Sequence, residues 1–379
     1  MRSQPSAEPG HHDVTFNWTE TDPNSPARDV LVRLVALTDF AQDQGDLRPY
    51  LMSADGDGLW TLTLRLPSTL RSSYQICPIR DRPMRGHPSE DRWMEILAMG
   101  VCDPTNPAML GAGSTYGNPG PASILDLPGS LPQPWHGRRP ESPRGTMTPH
   151  QIETDGRESA TVHVYLPHGY EALVEPAALL VVFDARFWVA NGIADMFDNL
   201  IAAGALRPMV VVAVESNQGA TRLSGLTHPD IFEPFLVDEL LPWVAARWKI
   251  TTDPAETVVA GQSLGGLTAA YIARLHPDRF GWVIGQSAAA WWPGDNVGGL
   301  SGRQVVDAYA GGDHVPVRFF LEVGSRESEL LQSVRDMHDV LLKRGYDVRY
   351  REYEGGHDVA CWRGGLADGL IAALGTRSG

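Results

Sequence analysis

Apolar and polar residues alternate along the first part of this chain and gather into apolar blocks further on. VTFNW (14–18), DVLVRLVAL (29–37), GLWTLTLRL (58–66) and SSYQICPIR (72–80) alternate, with polar or glycine-rich turns between them. Period-two alternation marks half-buried strands, and with few helical stretches nearby it predicts a small β-sandwich, immunoglobulin-like in type. Residues 103–150 are rich in Pro, Gly and Ser and read as a surface linker. From about residue 151 the pattern changes. ATVHVYLP, ALLVVFD, MVVVAVE, TVVAG, GWVIGQS, VRFFLEV and DVRYREY are apolar runs of buried-strand length. Amphipathic helical segments separate several of them, notably DIFEPFLVDELLPWVAARW and ESELLQSVRDMHDVLLKRG. Strands alternating with helices predict a mostly parallel sheet covered on both faces.

A length of 379 residues exceeds what one hydrophobic core usually serves. Two domains are therefore expected, a β-sandwich with its linker over 1–150 and an α/β domain over 151–379. Hydrophobic residues make up 42% and charged residues 20%, ordinary values for a globular protein. The net charge of -15 argues against nucleic acid or an anionic membrane as partner. No apolar stretch has the length of a membrane span, and the start, MRSQPSAEPGHHD, lacks the apolar region of a secretory signal. Cys77, Cys102 and Cys361 are scattered without metal-like spacing, as expected of plain thiols in a reducing compartment. A cytoplasmic protein without metal or cofactor is the expectation.

GQSLGG (261–266) carries the first sign of chemistry. It follows the β-branched run TVVA and precedes LTAAYIARLHPDRF, apolar at helical spacing up to Pro277. Strand, Gly-x-Ser-x-Gly and helix in that order form the context of a nucleophile elbow in an α/β-hydrolase sheet. Gly261 and Gly265 are small where chain and helix pass, so the turn projects Ser263 outward. The Leu264 amide then sits at a helix N-terminus, where backbone donors favour an oxyanion. A second donor is expected from the loop after ALLVVFD, from the amide of Ala185 or Arg186.

A nucleophilic serine needs a base, and in this fold the order is serine, acid, histidine. His276, His314, His338 and His357 follow Ser263. His276 ends the elbow helix, His338 lies on a polar helix face, and His314 precedes a strand. His357, in EYEGGHD after the last strand, stands where a loop folds back over the serine. For the acid, SRESE follows RFFLEV at the same sheet edge and offers Glu327 or Glu329 to orient the imidazole. Glu329 is suited to opening a helix, which favours Glu327; a Ser-His dyad without a strict third member is the alternative.

These residues resemble the enterochelin (enterobactin) esterases. The resemblance rests on VVFDARFW, DELLPW, VVAGQSLGGLTAAYIARLHPDRFGWVIGQSAAAWWP, EVGSRE and EGGHDVACWRGGL, with VTFNW, GLWTLTLRLP and DPTNP towards the start. It implies hydrolysis of the ester bonds of a ferric triscatechol trilactone siderophore in the cytoplasm. It also implies Ser263 as nucleophile, His357 as base and, from the RE pair at Arg326–Glu327, Glu327 as acid. One departure stands out: where the family carries Arg-x-x-Glu-Leu, TRLSGL keeps Arg222 but has Gly225 in the glutamate position.

A ferric triscatecholate is anionic, so an acidic protein needs a local cationic site for it. Arg186, Arg222, Arg326 and Arg363 all fall in loops expected at the active edge. Trp291 and Trp292 are candidates for stacking on catechol rings. Two other functions use the same fold: a carbohydrate or feruloyl esterase, and a siderophore-binding protein with a non-catalytic hydrolase core.

Overall fold

The computed structural model describes residues 1–44, 46–84, 86–153, 159–216, 226–294 and 299–376. The chain divides into two compact units. One holds Met1–Pro132 with two later segments, Gly324–Ser328 and Tyr353–Cys361; the other holds the remainder. The division falls at Pro132 rather than near residue 150. Thr146–Ile152 is already a strand of the second unit, paired antiparallel with Ala160–Leu166.

The first unit contains β1 (Arg2–Pro5), β2 (His11–Thr19), β3 (Asp29–Leu34), β4 (Ser53–Ala54), β5 (Leu59–Pro67), β6 (Arg71–Ile79), β7 (Met109–Leu110) and β8 (Ala122–Asp126). They form two four-stranded sheets, β1-β2-β5-β4 and β3-β6-β8-β7. Each neighbouring pair is antiparallel. Alternation in VTFNW buries Val14, Phe16 and Trp18. These side chains share one core with Val30, Val32 and Leu34 of the other sheet, and Phe16 meets Tyr74 edge to face at 5.0 Å. The run DVLVRLVAL does not stay extended: β3 ends at Leu34 and a helix begins at Val35. The Thr38 hydroxyl donates to the Leu34 carbonyl at 3.0 Å, and the Arg33 guanidinium pairs with Asp39 at 3.0 Å. Both bonds close the helical turn against the strand preference of the β-branched residues. A second helix, Glu90–Ala98, is capped by the Ser89 hydroxyl and buries Trp93, Ile96 and Leu97 with Leu31, Cys77 and Ile79.

The second unit is built on β9 (Thr146–Ile152), β10 (Ala160–Leu166), β11 (Ala178–Phe183), β12 (Met209–Val214), β13 (Thr257–Gln262), β14 (Trp282–Gln286), β15 (Arg318–Gly324) and β16 (Val348–Tyr353). The eight-stranded sheet has the order β16-β15-β14-β13-β11-β12-β10-β9. From β12 through β11, β13 and β14 to β15 the pairing is parallel, whereas β9 and β10 are antiparallel. The strands β11, β12, β13 and β14 are buried along their whole length, which is why they read as unbroken apolar runs. Helices Leu264–Leu275, Gly302–Gly311 and Glu329–Lys343 follow successive strands, the arrangement of an α/β-hydrolase domain. No helix among the described residues is long and apolar enough to cross a membrane.

One carboxylate is buried inside this sheet. Glu322 on β15 is fully shielded, and burial pushes its carboxyl up while the Arg351 cation pulls it back. Gln286 Nε2 donates to Glu322 Oε1 at 2.6 Å, and Arg351 donates to Oε2 through Nε at 2.9 Å and Nη2 at 2.7 Å. Removing the cation leaves a buried charge short of donors. Arg351→Met is therefore expected to lower the unfolding free energy by on the order of 3 kcal/mol. A thermal midpoint equal to that of the wild type would show that Gln286 alone suffices.

Candidate active site

Ser263 stands between β13 and helix Leu264–Leu275 with φ 55 and ψ -122, a conformation that costs a non-glycine residue about 1–3 kcal/mol. The turn is fastened on both sides. The Ser263 amide donates to the Gln286 carbonyl at 3.0 Å, and the Ser263 carbonyl accepts from Ala289 at 2.9 Å. Asp184, Ser287 and Ser328 are the other non-glycine residues with positive φ among the described residues, and each follows a strand of this same sheet. Strain concentrates along one edge.

The motif's glycines differ in what they require. A β-carbon at Gly261 would lie 2.4 Å from the Gly265 carbonyl carbon and oxygen, an impossible contact. At Gly265 it would make only ordinary contacts, with Phe183 Cβ at 3.4 Å and Asp184 Oδ2 at 3.7 Å among them. At Gly266 it would crowd the Gly261 oxygen at 3.0 Å and Ala288 Cβ at 3.1 Å. Close approach thus constrains Gly261 and Gly266, and Gly265 only through its backbone.

The Leu264 amide opens the helix, as expected. The Arg186 amide does not stand ready for an oxyanion: it donates to Glu215 Oε2 at 3.0 Å. Pairing of Phe183 with Val214 puts the residues that follow, Asp184 and Glu215, at neighbouring strand ends. Burial raises the Glu215 carboxyl, assisted by Asp184, while the Arg186 amide lowers it. An anion at this amide has to displace a carboxylate, so the Ala185 amide, at the start of helix Ala185–Ala190 rather than on a loop, is left as the alternative donor.

Glu327 and His357 come together. His357 Nδ1 donates to Glu327 Oε2 at 2.6 Å. The other carboxylate oxygen, Oε1, accepts from the Gly324 amide at 2.6 Å and from the Tyr353 hydroxyl at 3.1 Å. The Glu327 side chain is 1% exposed and that of His357 41%, a shielded carboxylate beneath an accessible ring. Glu329 is exposed and opens helix Glu329–Lys343, and Asp358 turns away from the ring to bond Ser72 and Ser73. The remaining histidines have partners elsewhere: His276 with Glu233, His314 stacked on Tyr346, and His338 stacked on Tyr350.

Among the expected cationic residues, Arg222 lies outside the described residues, as does Gly225. Arg326 pairs with Glu354 at 2.5 Å and so is not an unopposed charge. Arg186 and Arg363 lie not on loops but on helices Ala185–Ala190 and Val359–Leu374. The Arg186 guanidinium is 4.5 Å from the Phe187 ring centre, and Arg363 Nε donates to Gln133 at 2.8 Å. Trp291 is 47% exposed; Trp292 is half-buried against the core of the second unit, edge to face with Trp291. Only Trp291 offers a largely open ring.

Sequence reasoning missed Gln286 and Glu215. Gln286 donates to both Glu322 and the Trp362 carbonyl, and Trp362 Nε1 donates to the Ser287 hydroxyl at 3.0 Å. A polar residue closing an otherwise apolar strand, as in GWVIGQ and MVVVAVE, was the available signal.

The sequence matches the Esterase family over residues 156–373 and "Enterochelin esterase, N-terminal" over 13–136. It is 30% identical to an iron(III) enterobactin esterase of Escherichia coli O6:H1, over 95% of this chain and 90% of that protein. The chain belongs to the enterochelin esterase family. Among solved members, the Shigella flexneri enterobactin esterase crystallised in the presence of enterobactin superposes with a TM-score of 0.83 at 27% identity. That comparison covers 98% of this chain and 95% of the other. Ferric enterobactin esterase of Salmonella typhimurium gives the same TM-score, 0.83, at 28% identity, over 98% of this chain and 95% of that one. In this member of the family, the elbow itself yields a test. Gly261→Ala should abolish esterase turnover and lower the melting temperature, while Gly265→Ala should stay folded with turnover within about threefold of wild type. Equal damage from both would show that the contact at Gly261 is not what limits the turn.

Proposed function

We propose that the chain is a serine esterase that cleaves the ester bonds of a ferric triscatechol trilactone siderophore in the cytoplasm. Ser263 is the nucleophile, His357 the general base, and Glu327 the acid that orients the imidazole. The observation that carries this reading is the 2.6 Å bond from His357 Nδ1 to the buried Glu327, in a chain with a strained serine at φ 55. With Nδ1 committed to the carboxylate, Nε2 is the nitrogen left to take the Ser263 proton. The serine oxygen attacks the ester carbonyl, and the oxyanion is held by the Leu264 amide with the Ala185 amide as second donor. Collapse expels the alcohol, which takes its proton from the imidazolium. Water then repeats the sequence on the acyl-enzyme. Glu327 holds the ring in place and stabilises the imidazolium. Iron enters with the substrate, not as a cofactor.

The substrate class is supported by the relatives, which are named for enterobactin and extend over both parts of this chain. Ester hydrolysis rests on the serine, histidine and glutamate, independently of the acyl group.

Ser263→Ala and His357→Ala should each reduce turnover of a small chromogenic ester by at least about a thousandfold without unfolding the protein. Glu327→Gln should cost less than His357→Ala, because it alters orientation without removing the base. Turnover within a few-fold of wild type in Ser263→Ala would overturn the assignment. Mass analysis of products from ferric and iron-free trilactones tests the substrate class, and intact trilactones would refute it.

Charge gives a separate check. Arg222→Ala and Arg363→Ala should weaken use of a ferric triscatecholate far more than use of a neutral ester, and the difference should shrink with added salt. Rim charges are screened over about 10 Å at 0.1 M ionic strength. Equal losses with both substrates, or no dependence on salt, would remove the arginines from substrate recognition.

A further inference from the structure

The strand pairing of the first unit leaves a gap that the histidine loop fills. β6 pairs with β3 from Ile79 to Tyr74 and with β8 from Tyr74 to Arg71. Because β3 ends at Leu34 and turns into a helix, the edge of β6 at Arg71–Ser73 loses its strand partner. Backbone amides there need acceptors, since a buried unsatisfied N–H costs about 1–3 kcal/mol. The segment Tyr353–Cys361 supplies them. The Arg71 amide donates to the Glu354 carbonyl at 3.2 Å, and the Ser73 amide donates to Asp358 Oδ2 at 2.5 Å. Asp358 Oδ2 also accepts from the Ser73 hydroxyl at 3.0 Å and the Ser72 hydroxyl at 3.1 Å. Its second oxygen accepts from the Ala360 amide at 2.9 Å.

The rest of the loop is held along the same edge. The Cys361 thiol donates to the Arg71 carbonyl at 3.4 Å. A β-carbon at Gly356 would come 2.7 Å from Ala36 Cα, in the turn where β3 gives way to its helix. The Ala36 amide in turn donates to the Ser72 hydroxyl at 3.0 Å. One side chain of the loop is therefore anchored by four donors, and His357 directly precedes it.

We propose that Asp358 is a positioning residue: it latches the histidine loop onto the vacated edge of β6 and so fixes the His357 ring on Glu327. The N-terminal β-unit then takes part in every turnover, whatever the ester. This rests on the reading of His357 as the general base. A carboxylate is required because Oδ2 and Oδ1 both face N–H donors. Replacement by an amide turns one of these contacts into donor against donor while barely changing volume.

The test compares wild type, Asp358→Asn, the double variant Ser72→Ala/Ser73→Ala, and His357→Ala on a small neutral chromogenic ester. Displacing a catalytic group by about 1 Å can cost a hundredfold in rate. Asp358→Asn should therefore lose about a hundredfold in kcat with KM within about twofold. The double serine variant keeps the Ser73 and Ala360 amides and should lose about tenfold. Proton NMR should show the downfield Nδ1 proton of the His357–Glu327 pair broadened or lost in both latch variants. A merely structural role would lower the melting temperature and leave that proton and the kcat of folded enzyme unchanged; this outcome overturns the latch. So does folded Asp358→Asn with kcat within threefold of wild type. If Asp358→Asn does not fold, the double serine variant is judged by the same readings. Undiminished turnover in His357→Ala would instead overturn the reading of the base, a result separable from every outcome of the latch variants.

Discussion

Between Gly261 and the backbone of Gly265 there is no room for a methyl group, since the added carbon would lie 2.4 Å from the Gly265 carbonyl. Helix Leu264–Leu275 can therefore start directly on top of β13, and the single residue between them has to reverse the chain. Ser263 accepts φ 55 for that reason, and the strain is offset by the hydrogen bonds that tie it to Gln286 and Ala289. The same approach puts the Leu264 amide at the helix start with its dipole towards the serine. A strained serine and a helix-opening amide thus follow from one steric constraint. Asp184, Ser287 and Ser328 also take positive φ after other strands of the sheet.

Buried carboxylates organise other parts of the chain, and each is held by its own set of donors. Glu322 takes Gln286 and Arg351; Glu327 takes Gly324, Tyr353 and His357; Asp358 takes Ser72, Ser73 and Ala360. A carboxylate shielded from water without such partners would neutralise or destabilise the fold, so the donors and the acids come as sets. Glycines make room for them. A β-carbon at Gly324 would lie 2.7 Å from Glu327 Oε1, and one at Gly365 would lie 1.7 Å from Glu322 Oε1. The motif CWRGGL is accordingly a packing signature as much as a chemical one: Cys361 and Trp362 fix the start of a helix, and Gly365 admits a buried acid.

Much of this was legible in the sequence because local physics decided it. Alternation in VTFNW, unbroken apolar runs in ALLVVF and MVVVAV, and strand–turn–helix around GQSLGG depend on near neighbours along the chain. The order serine, glutamate, histidine after β13, β15 and β16 pointed to Ser263, Glu327 and His357 as candidates, and Glu329 was separable because a carboxylate suits the first turn of a helix. DVLVRLVAL misled, since nothing in its β-branched pattern announces the helix that begins at Val35.

By itself, then, the sequence determined the two kinds of sheet, the elbow and the residues proposed for catalysis, because period, sterics and order act at short range. Only the tertiary structure decided which donors each side chain meets. It gave the Arg186 amide to Glu215 instead of an oxyanion, spent Arg326 on Glu354, and turned Asp358 from His357 to Ser72 and Ser73. Those pairings join residues 28 to 286 positions apart, and a hydrogen bond at such separation is set by strand register and burial, which no local pattern encodes.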